Sequence, residues 1–88
     1  MKISFDPHKN HLNVHNHGID LAEVEGVFFD QFALTREDKD HDERRFVTLG
    51  VDGFGRLLVV VYVWRGEDEI RVISARRAEP HERRCYEE

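Results

Sequence analysis

The feature that most constrains the fold is an unbroken apolar run from Leu57 to Trp64. Side chains of a β-strand alternate between two faces, so a strand that is apolar at every position is typical of one covered on both faces. The run is also far shorter than the roughly 20 residues that a transmembrane helix needs. It therefore predicts a central strand, covered by helices on one side and by another element on the other, and no membrane span.

Turn signals on either side of this run predict antiparallel neighbours. The hairpin sequence Asp52-Gly53-Phe54-Gly55 precedes it, and Arg65 to Asp68 supplies the next turn. Strand-like segments lie beyond both turns, at Phe46 to Leu49 and at Ile70 to Arg76. We expect three consecutive antiparallel strands, with a shorter strand at Phe32 to Leu34.

The N-terminal part of the chain predicts a short strand over Lys2 to Phe5 and then a helix. Asp6 followed by Pro7 is typical of an N-cap and first helical position, and Gly18 tolerates the positive φ of a helix end. The first helix should therefore end near His17.

A second amphipathic helix is predicted from Asp20 to about Asp30. Asp20 and Glu23 have the spacing of a capping box. Apolar residues repeat at helical spacing within the segment, namely Leu21, Val24, Val27 and Phe28. The polar stretch Glu37 to Arg45 is predicted to be a loop, and Pro80 opens a short C-terminal helix.

These elements predict an α+β fold with a central antiparallel sheet, two N-terminal helices packed on it and a short C-terminal helix. A chain of 88 residues is the size of one domain, here residues 1–88. Its one cysteine, Cys85, excludes an intramolecular disulfide, and the N-terminus lacks the basic and apolar stretches of a secretory signal. We expect a cytoplasmic protein.

The net charge of −5 argues against a broad basic surface that binds nucleic acid. The distribution of charges along the chain is more informative about function. Five acids lie between Glu37 and Glu43, whereas arginines outnumber acids from Arg56 to Arg84. A guanidinium can hold a phosphate bidentately and stabilise the charge of a phosphoryl transition state. The alternative is structural pairing with Glu79, Glu82 or the acidic loop. The arginines concerned are Arg65, Arg71, Arg76, Arg77, Arg83 and Arg84.

Strand alternation would place Arg76 on the same side of its strand as Val72 and Ser74, and Arg77 on the opposite side. One of the two arginines must then point at a covered face or at its rim.

Two other groups of residues could form sites. The first helix carries histidines at spacings that metal ligands use, namely His8, His11, His15 and His17. No carboxylate or cysteine partner lies at a fixed spacing from them, so we expect exposed histidines, no metal and no cofactor. Cys85 has no identified base partner and is not expected to be a nucleophile.

The order of the motifs resembles the BrnT family of bacterial toxins over essentially the whole chain. The most specific part is the segment from Ile70 to Glu88. The other parts are Phe5-Asp6-Pro7, Lys9, Asn13, His17-Gly18, Phe29-Asp30, Glu43-Arg44-Arg45-Phe46 with Gly50, Leu57 to Tyr62, and Arg65-Gly66.

The resemblance implies a compact α+β ribonuclease, related in fold to the RelE toxins, that cleaves RNA and arrests translation. It implies neutralisation by a ribbon-helix-helix antitoxin named BrnA. The complex of the two proteins would bind its operator DNA through the antitoxin, so DNA is only an indirect partner.

The resemblance also implies site residues. The strand-end arginines of the family match Arg65 and Arg76, and the residues of its last helix match Glu82, Arg83 and Tyr86. Matches to the first helix are Lys9 and His17.

The hypothesis that follows is metal-independent cleavage, in which the RNA 2′-hydroxyl attacks the adjacent phosphorus. Arg65 and Arg76 would bind the phosphate, while Glu82, His17 or Tyr86 assists proton transfer. Further RNA contacts are expected from Lys9, Arg71, Arg77 and Arg83. Two alternatives stay open: a noncatalytic module that binds an acidic protein segment, and a degenerate toxin that acts only as antitoxin partner and co-repressor.

Overall fold

The structure, a computed structural model, describes residues 1–39 and 42–88, which form five β-strands, two α-helices and two short 3₁₀ helices. In chain order these are β1 (Lys2–Phe5), α1 (Pro7–His17), the first 3₁₀ helix (Leu21–Glu23), the second 3₁₀ helix (Glu25–Phe29), β2 (Leu34–Asp38), β3 (Arg45–Val51), β4 (Leu57–Arg65), β5 (Glu69–Arg77) and α2 (Pro80–Glu87). The predicted α+β class is confirmed. Within this part of the chain, none of the helices has the length and apolar character needed to cross a membrane.

All five strands form one sheet in the order β1-β5-β4-β3-β2. Strands β2 to β5 pair antiparallel with their neighbours, and β1 pairs parallel with β5 at the edge. The apolar run falls on β4, which lies in the middle of the sheet as predicted. The hairpin at Asp52 to Gly55 and the turn before Glu69 also lie where the sequence predicts them.

The two faces of β4 are covered differently. Leu58, Val60 and Tyr62 point to what we term the core face, and all three are buried. The residues from Ile19 to Val27 cover this face and supply four side chains with no exposed surface, Ile19, Leu21, Val24 and Val27. Val59, Val61 and Val63 alternate to the opposite side, the outer face, where α2 lies beside β3 at one end.

Helix α1 has the predicted ends. The Asp6 carboxylate accepts a hydrogen bond from the His8 amide, and Gly18 ends the helix with φ of 70°. The helix is held against β5 by Asn13, whose side-chain amide donates to the Ala75 carbonyl and accepts from the Ala75 amide. Asn13 also donates to the Ile19 carbonyl, so one buried side chain joins α1, β5 and the following segment.

The second predicted helix is present as two consecutive 3₁₀ helices, so the prediction of a single amphipathic helix is corrected. Leu21, Val24 and Val27 are fully buried at a spacing of three residues, which is the repeat of a 3₁₀ helix. Gly26 lies against the β3–β4 hairpin, where an added Cβ would sit 2.5 Å from the Gly53 backbone nitrogen. Close approach to the sheet therefore sets the tighter winding.

Strand β2 is later and longer than predicted. It begins at Leu34, whereas Phe32 lies in the preceding turn and is 67% exposed. The predicted acidic loop therefore starts inside the strand, since β2 continues through Asp38. Asp40 and His41, also assigned to that loop, lie outside the described residues.

Strand β5 contains one extra residue relative to β4. Val61 pairs with Ser74 and Tyr62 pairs with Val72, which leaves Ile73 without a partner in the ladder. The alternation of side chains therefore changes at this point, and Ala75 is buried in the core together with Val72. The predicted grouping of Arg76 with Val72 is wrong, because Arg76 follows the bulge and lies on the outer face with Val59.

We expect replacement of Asn13 by alanine to lower the free energy of unfolding by about 3 kcal/mol. The loss follows because buried backbone groups of Ala75 and Ile19 lose their partners, at roughly 1–3 kcal/mol for each unsatisfied group. Urea denaturation measures the change. The matched control is Asn16→Ala on the exposed side of the same helix, expected to change stability by no more than about 0.5 kcal/mol. Equal effects of the two substitutions would contradict this account of Asn13.

Candidate functional site

A bidentate ion pair on the outer face joins β5 to α2. Both outer nitrogens of the Arg76 guanidinium donate to Glu82, with Nη1 to Oε1 and Nη2 to Oε2 each at 2.8 Å. Nη1 also donates to the Arg77 carbonyl at 3.2 Å. Arg76 reaches this position because the bulge in β5 turns its side chain to the outer face.

Glu82 is held from two directions. It is the third residue of α2, and its Oε1 accepts the backbone amide of Glu79 at 2.8 Å in a capping box. The hydrogen bond from Arg76, together with that amide, lowers the pKa of Glu82 from its ordinary value of 4.5 to about 2, although burial opposes the shift. The same pairing raises the pKa of Arg76. Both groups are therefore charged near neutral pH.

The last turn of α2 is fixed by a second contact. The Tyr86 hydroxyl donates to the Asp30 carboxylate, which also accepts the backbone amides of Val51 and Phe32. Burial acts against ionisation of Asp30, but these hydrogen bonds outweigh it and lower the pKa of Asp30. The hydrogen bond to Asp30 raises the pKa of Tyr86, which is therefore a hydrogen-bond donor that joins α2 to the end of β3.

A cavity of about 280 Å³ opens on the outer face beside the Arg76–Glu82 pair. Its floor is aliphatic, formed by Val47 and Leu49 from β3 and Val59 from β4. Arg76 and Glu82 line it from the side of β5 and α2, with Cys85 from the same helix. The wall on the side of β2 contains Leu34, Thr35 and Arg36. An apolar floor between two guanidinium groups suits a ligand with a flat apolar part and negative charge.

Arg65, expected beside Arg76, lies at the other end of the sheet. Arg76 pairs across with Val59, while Arg65 is six positions further along β4 and pairs with Glu69. At about 3.3 Å per residue, the two Cα atoms are separated by roughly 20 Å along the strand. Both side chains belong to the outer face by alternation, as does Arg71, which pairs with Val63 between them. The structure thus places the three arginines on one face without bringing them to one point.

The remaining predicted residues lie away from this cavity. Lys9 and His17 are exposed on α1, which packs along β5 through Asn13. Arg77 and Arg83 are exposed on β5 and α2. Within residues 1–39 and 42–88, neither His17 nor Tyr86 makes a hydrogen bond to Arg76 or Glu82. Of the three groups expected to transfer protons, Glu82 alone lines the cavity.

The histidines of α1 stay exposed, as expected of polar residues on a solvated helix. In the part of the chain that the structure describes, no group of three or more histidine, cysteine or acidic side chains is arranged to hold a metal ion.

Sequence reasoning missed two residues of this region, Arg36 and Asp30. The predicted strand ends at Leu34 and the predicted loop begins at Glu37, so Arg36 belongs to neither and no face is predicted for it. Correct bounds for β2 would have grouped it with Leu34 by strand alternation. The sequence predicts Asp30 only as the end of a helix. Its contacts with Val51 and Tyr86 join residues far apart in the chain, and no local sequence signal indicates them.

Comparison with known proteins gives a family and a fold. The family model described as the ribonuclease toxin BrnT of type II toxin-antitoxin systems matches residues 5–82. Among solved structures, the chain is similar to the crystal structure of the Brucella abortus ribonuclease toxin BrnT, with 25% identity and a TM-score of 0.71. That similarity covers 90% of this chain and 97% of the other. No curated protein matches the chain. The resemblance found in the sequence is confirmed.

The Arg76–Glu82 pair predicts a specific pH dependence of stability. The folded-state pKa of Glu82, about 2, lies below its ordinary value of 4.5, so the pair stabilises the fold above pH 4.5. This contribution is lost as the pH falls from 4.5 toward 2. We therefore expect wild type to be more stable than Glu82→Gln at pH 6, with the difference shrinking toward pH 2.5.

Urea unfolding of both proteins at several pH values measures this difference. A suitable control is Glu87→Gln, an exposed acid near the end of the same helix, for which we expect no comparable pH-dependent difference. A Glu82→Gln difference that stays constant from pH 6 to pH 2.5 would contradict the ion-pair assignment.

Proposed function

The chain belongs to the BrnT family of ribonuclease toxins of type II toxin-antitoxin systems, and from this premise we propose that it is an endoribonuclease whose RNA site is the outer-face cavity beside Arg76. The family match includes strands β2 to β5, Arg76 and Glu82. A guanidinium beside an open cavity is the observation that carries the proposal, because RNA presents a phosphate on every nucleotide. Cleavage of RNA in the cytoplasm would inhibit translation.

The contacts of Arg76 leave part of its guanidinium free for a phosphate. A guanidinium has five N–H donors, and Glu82 occupies the end of the group through Nη1 and Nη2. The side formed by Nε–H and the second Nη2–H has no hydrogen-bond partner in the described part of the chain. That side is a second fork, which can take two phosphate oxygens while Glu82 keeps the group in place.

The proposed reaction is an internal transfer at phosphorus. The 2′-oxygen forms a bond to the adjacent phosphorus and loses its proton, while the bond to the 5′-oxygen breaks and that oxygen gains a proton. The products are a 2′,3′-cyclic phosphate and a 5′-hydroxyl. Arg76 would stabilise the negative charge that builds on the phosphate oxygens in the transition state. We propose that no metal ion is needed, because the guanidinium supplies this positive charge.

Glu82 is better suited to orient Arg76 than to accept the 2′-hydroxyl proton. With a pKa near 2 it is a weak base at neutral pH, and both of its oxygens already accept hydrogen bonds. We assign Tyr86 the task of holding α2 through Asp30. Arg65 and Arg71 would contact more distant phosphates along the outer face, and Lys9, His17, Arg77 and Arg83 would contact RNA outside the cavity.

The partner we propose is a ribbon-helix-helix antitoxin of the BrnA kind, since a type II system pairs its toxin with an antitoxin protein. Binding of operator DNA would fall to the antitoxin, because a chain with net charge −5 is poorly suited to contact duplex DNA by itself. The toxin would then take part in repression only as a component of the complex.

A second candidate function is a noncatalytic antitoxin partner. The bidentate engagement of Arg76 by Glu82 favours it, because an acidic side chain already occupies the cation that a phosphate would need. Under this reading the outer face binds an acidic protein segment, and purified protein cuts no RNA.

Replacing Arg76 by alanine should lower the rate of RNA cleavage by about 100-fold or more, the range seen when one preorganised donor to a transition state is removed. The measurement is cleavage of RNA in EDTA by protein freed of antitoxin. Arg84→Ala is the matched control, since it removes an exposed arginine of α2 that does not line the cavity.

Both variants are checked for folding by circular dichroism and urea unfolding. A folded Arg76→Ala protein that cleaves as fast as wild type would overturn the assignment of the site. A folded wild type that cuts neither free RNA nor RNA on ribosomes would favour the noncatalytic partner, and activity lost in EDTA and restored by magnesium would contradict metal independence.

A further inference from the structure

Arg36 lies on the outer face, across the cavity from Arg76, and among the described residues its side chain has no hydrogen bond or ion pair that would give it a structural role. It pairs across with Val47, which pairs with Val61, and all three side chains alternate to the same face. Arg36 and Arg76 line the same cavity from opposite walls. Within residues 1–39 and 42–88, the Arg36 side chain makes no hydrogen bond or ion pair. By contrast, Arg44 is bound to Glu37 and Arg56 to Asp52.

The face on which Arg36 lies is fixed by its neighbours on β2. The Thr35 hydroxyl lies 2.8 Å from the Thr48 hydroxyl, which in turn lies 2.8 Å from the hydroxyl of buried Tyr62. A slip of β2 by one residue would break this chain of hydroxyl groups and turn Arg36 to the other face. The register that places Arg36 at the cavity is thus anchored from the core side.

We propose that Arg36 is a further RNA-binding residue, which together with Arg76 clamps a single nucleotide over the aliphatic floor of Val47, Leu49 and Val59. This inference rests on the proposed ribonuclease function and names the residues that complete its site. Arg76 would hold the scissile phosphate, the base would lie on the floor, and Arg36 would hold the neighbouring phosphate on the side of β2.

The dimensions of the cavity fit one nucleotide. Strands β2 and β5 are separated by three inter-strand spacings, about 14 Å, and long arginine side chains reach inward from both. A volume of about 280 Å³ lies just below the range of small-ligand pockets, roughly 300–1,000 Å³, so the cavity has room for no more than one small group such as a nucleotide. Arg65 lies about 20 Å along the sheet and cannot serve as the second guanidinium of this cavity.

The competing interpretation is that Arg36 protects an exposed edge. Strand β2 is an outer strand, and charged residues on such strands prevent pairing between molecules. An edge-protecting residue would affect self-association and leave RNA affinity unchanged, so the two interpretations are separable.

The test measures binding of a fluorescent 2′-O-methyl RNA oligonucleotide, which lacks the attacking hydroxyl and therefore cannot be cleaved by this reaction. We expect Arg36→Ala to weaken binding by at least tenfold and to reduce the slope of log affinity against log salt by about 0.7, the value for one phosphate contact on a single strand. Arg36→Lys should recover part of the affinity, because it keeps the charge but loses the fork. Arg84→Ala should lose far less affinity than Arg36→Ala.

The single cysteine provides an independent measure of location. Cys85 is exposed and lines the cavity, so a bound oligonucleotide should slow its alkylation by iodoacetamide. We expect this protection in wild type and Arg84→Ala, and much weaker protection in Arg36→Ala at the same oligonucleotide concentration.

Four results would overturn the inference. If wild type cleaves RNA but Arg36→Ala binds within twofold of it, the ribonuclease proposal stands and the role of Arg36 fails. The role also fails if Arg36→Ala self-associates without losing RNA affinity, or if it loses affinity only for the antitoxin. If folded wild type neither binds nor cleaves RNA, the proposed function fails and the inference fails with it.

Discussion

One extra residue in β5 decides on which face of the sheet Arg76 lies. Strict alternation from buried Val72 would turn Arg76 toward the core, where a guanidinium would have to be desolvated among aliphatic side chains. The bulge at Ile73 reverses the alternation, so that small, buried Ala75 takes the core position and Arg76 points outward. Asn13 holds the Ala75 backbone just beyond the bulge, which connects the first helix to the geometry of the cavity.

The net charge of the chain is acidic, but acidic and basic side chains are unevenly distributed over its surface. Several acids are bound to arginines that have structural roles: Glu37 to Arg44, and Asp52 with Glu23 to Arg56. Asp52 shows how firm such pairing is, because burial opposes its ionisation and yet hydrogen bonds from Arg56 and Phe54 keep its pKa low. The outer face presents Arg36, Arg65 and Arg71 without ion pairs among the described residues. The electrostatic potential at the outer face is therefore more favourable to an anion than the net charge of the whole chain suggests.

Local signals in the sequence predicted the local structure well. The Asp6-Pro7 start, the Gly18 end and the hairpin at Asp52 each depend on contacts within a few residues, and the apolar run identified the central strand. The family resemblance likewise rested on motifs that can be read along the chain.

The sequence-based predictions that were wrong concern features that depend on contacts between residues far apart in the chain. The 3₁₀ winding is set by packing of Gly26 on Gly53, and the bulge by pairing of β5 with β4. The sequence shows neither the bulge nor the true bounds of β2. It therefore groups Arg76 with Val72 on the wrong face and gives no face for Arg36. Arg65 and Arg76 are both arginines near a strand end, but because β4 and β5 are antiparallel, those strand ends lie about 20 Å apart along the strand direction.

The candidate site is assembled between elements that differ in burial. Arg76 projects from a strand inside the hydrogen-bonded sheet, whereas neither α2 nor the edge strand β2, which carries Arg36, buries a side chain fully. Two polar contacts, Arg76 with Glu82 and Tyr86 with Asp30, fix the helix at its first and last turns. Segments with few buried apolar contacts open at lower free energy than the core of a protein. The floor of the cavity thus belongs to the central strands, whereas the wall formed by α2 depends for its position on two polar contacts, and the first of these involves the guanidinium assigned to the phosphate.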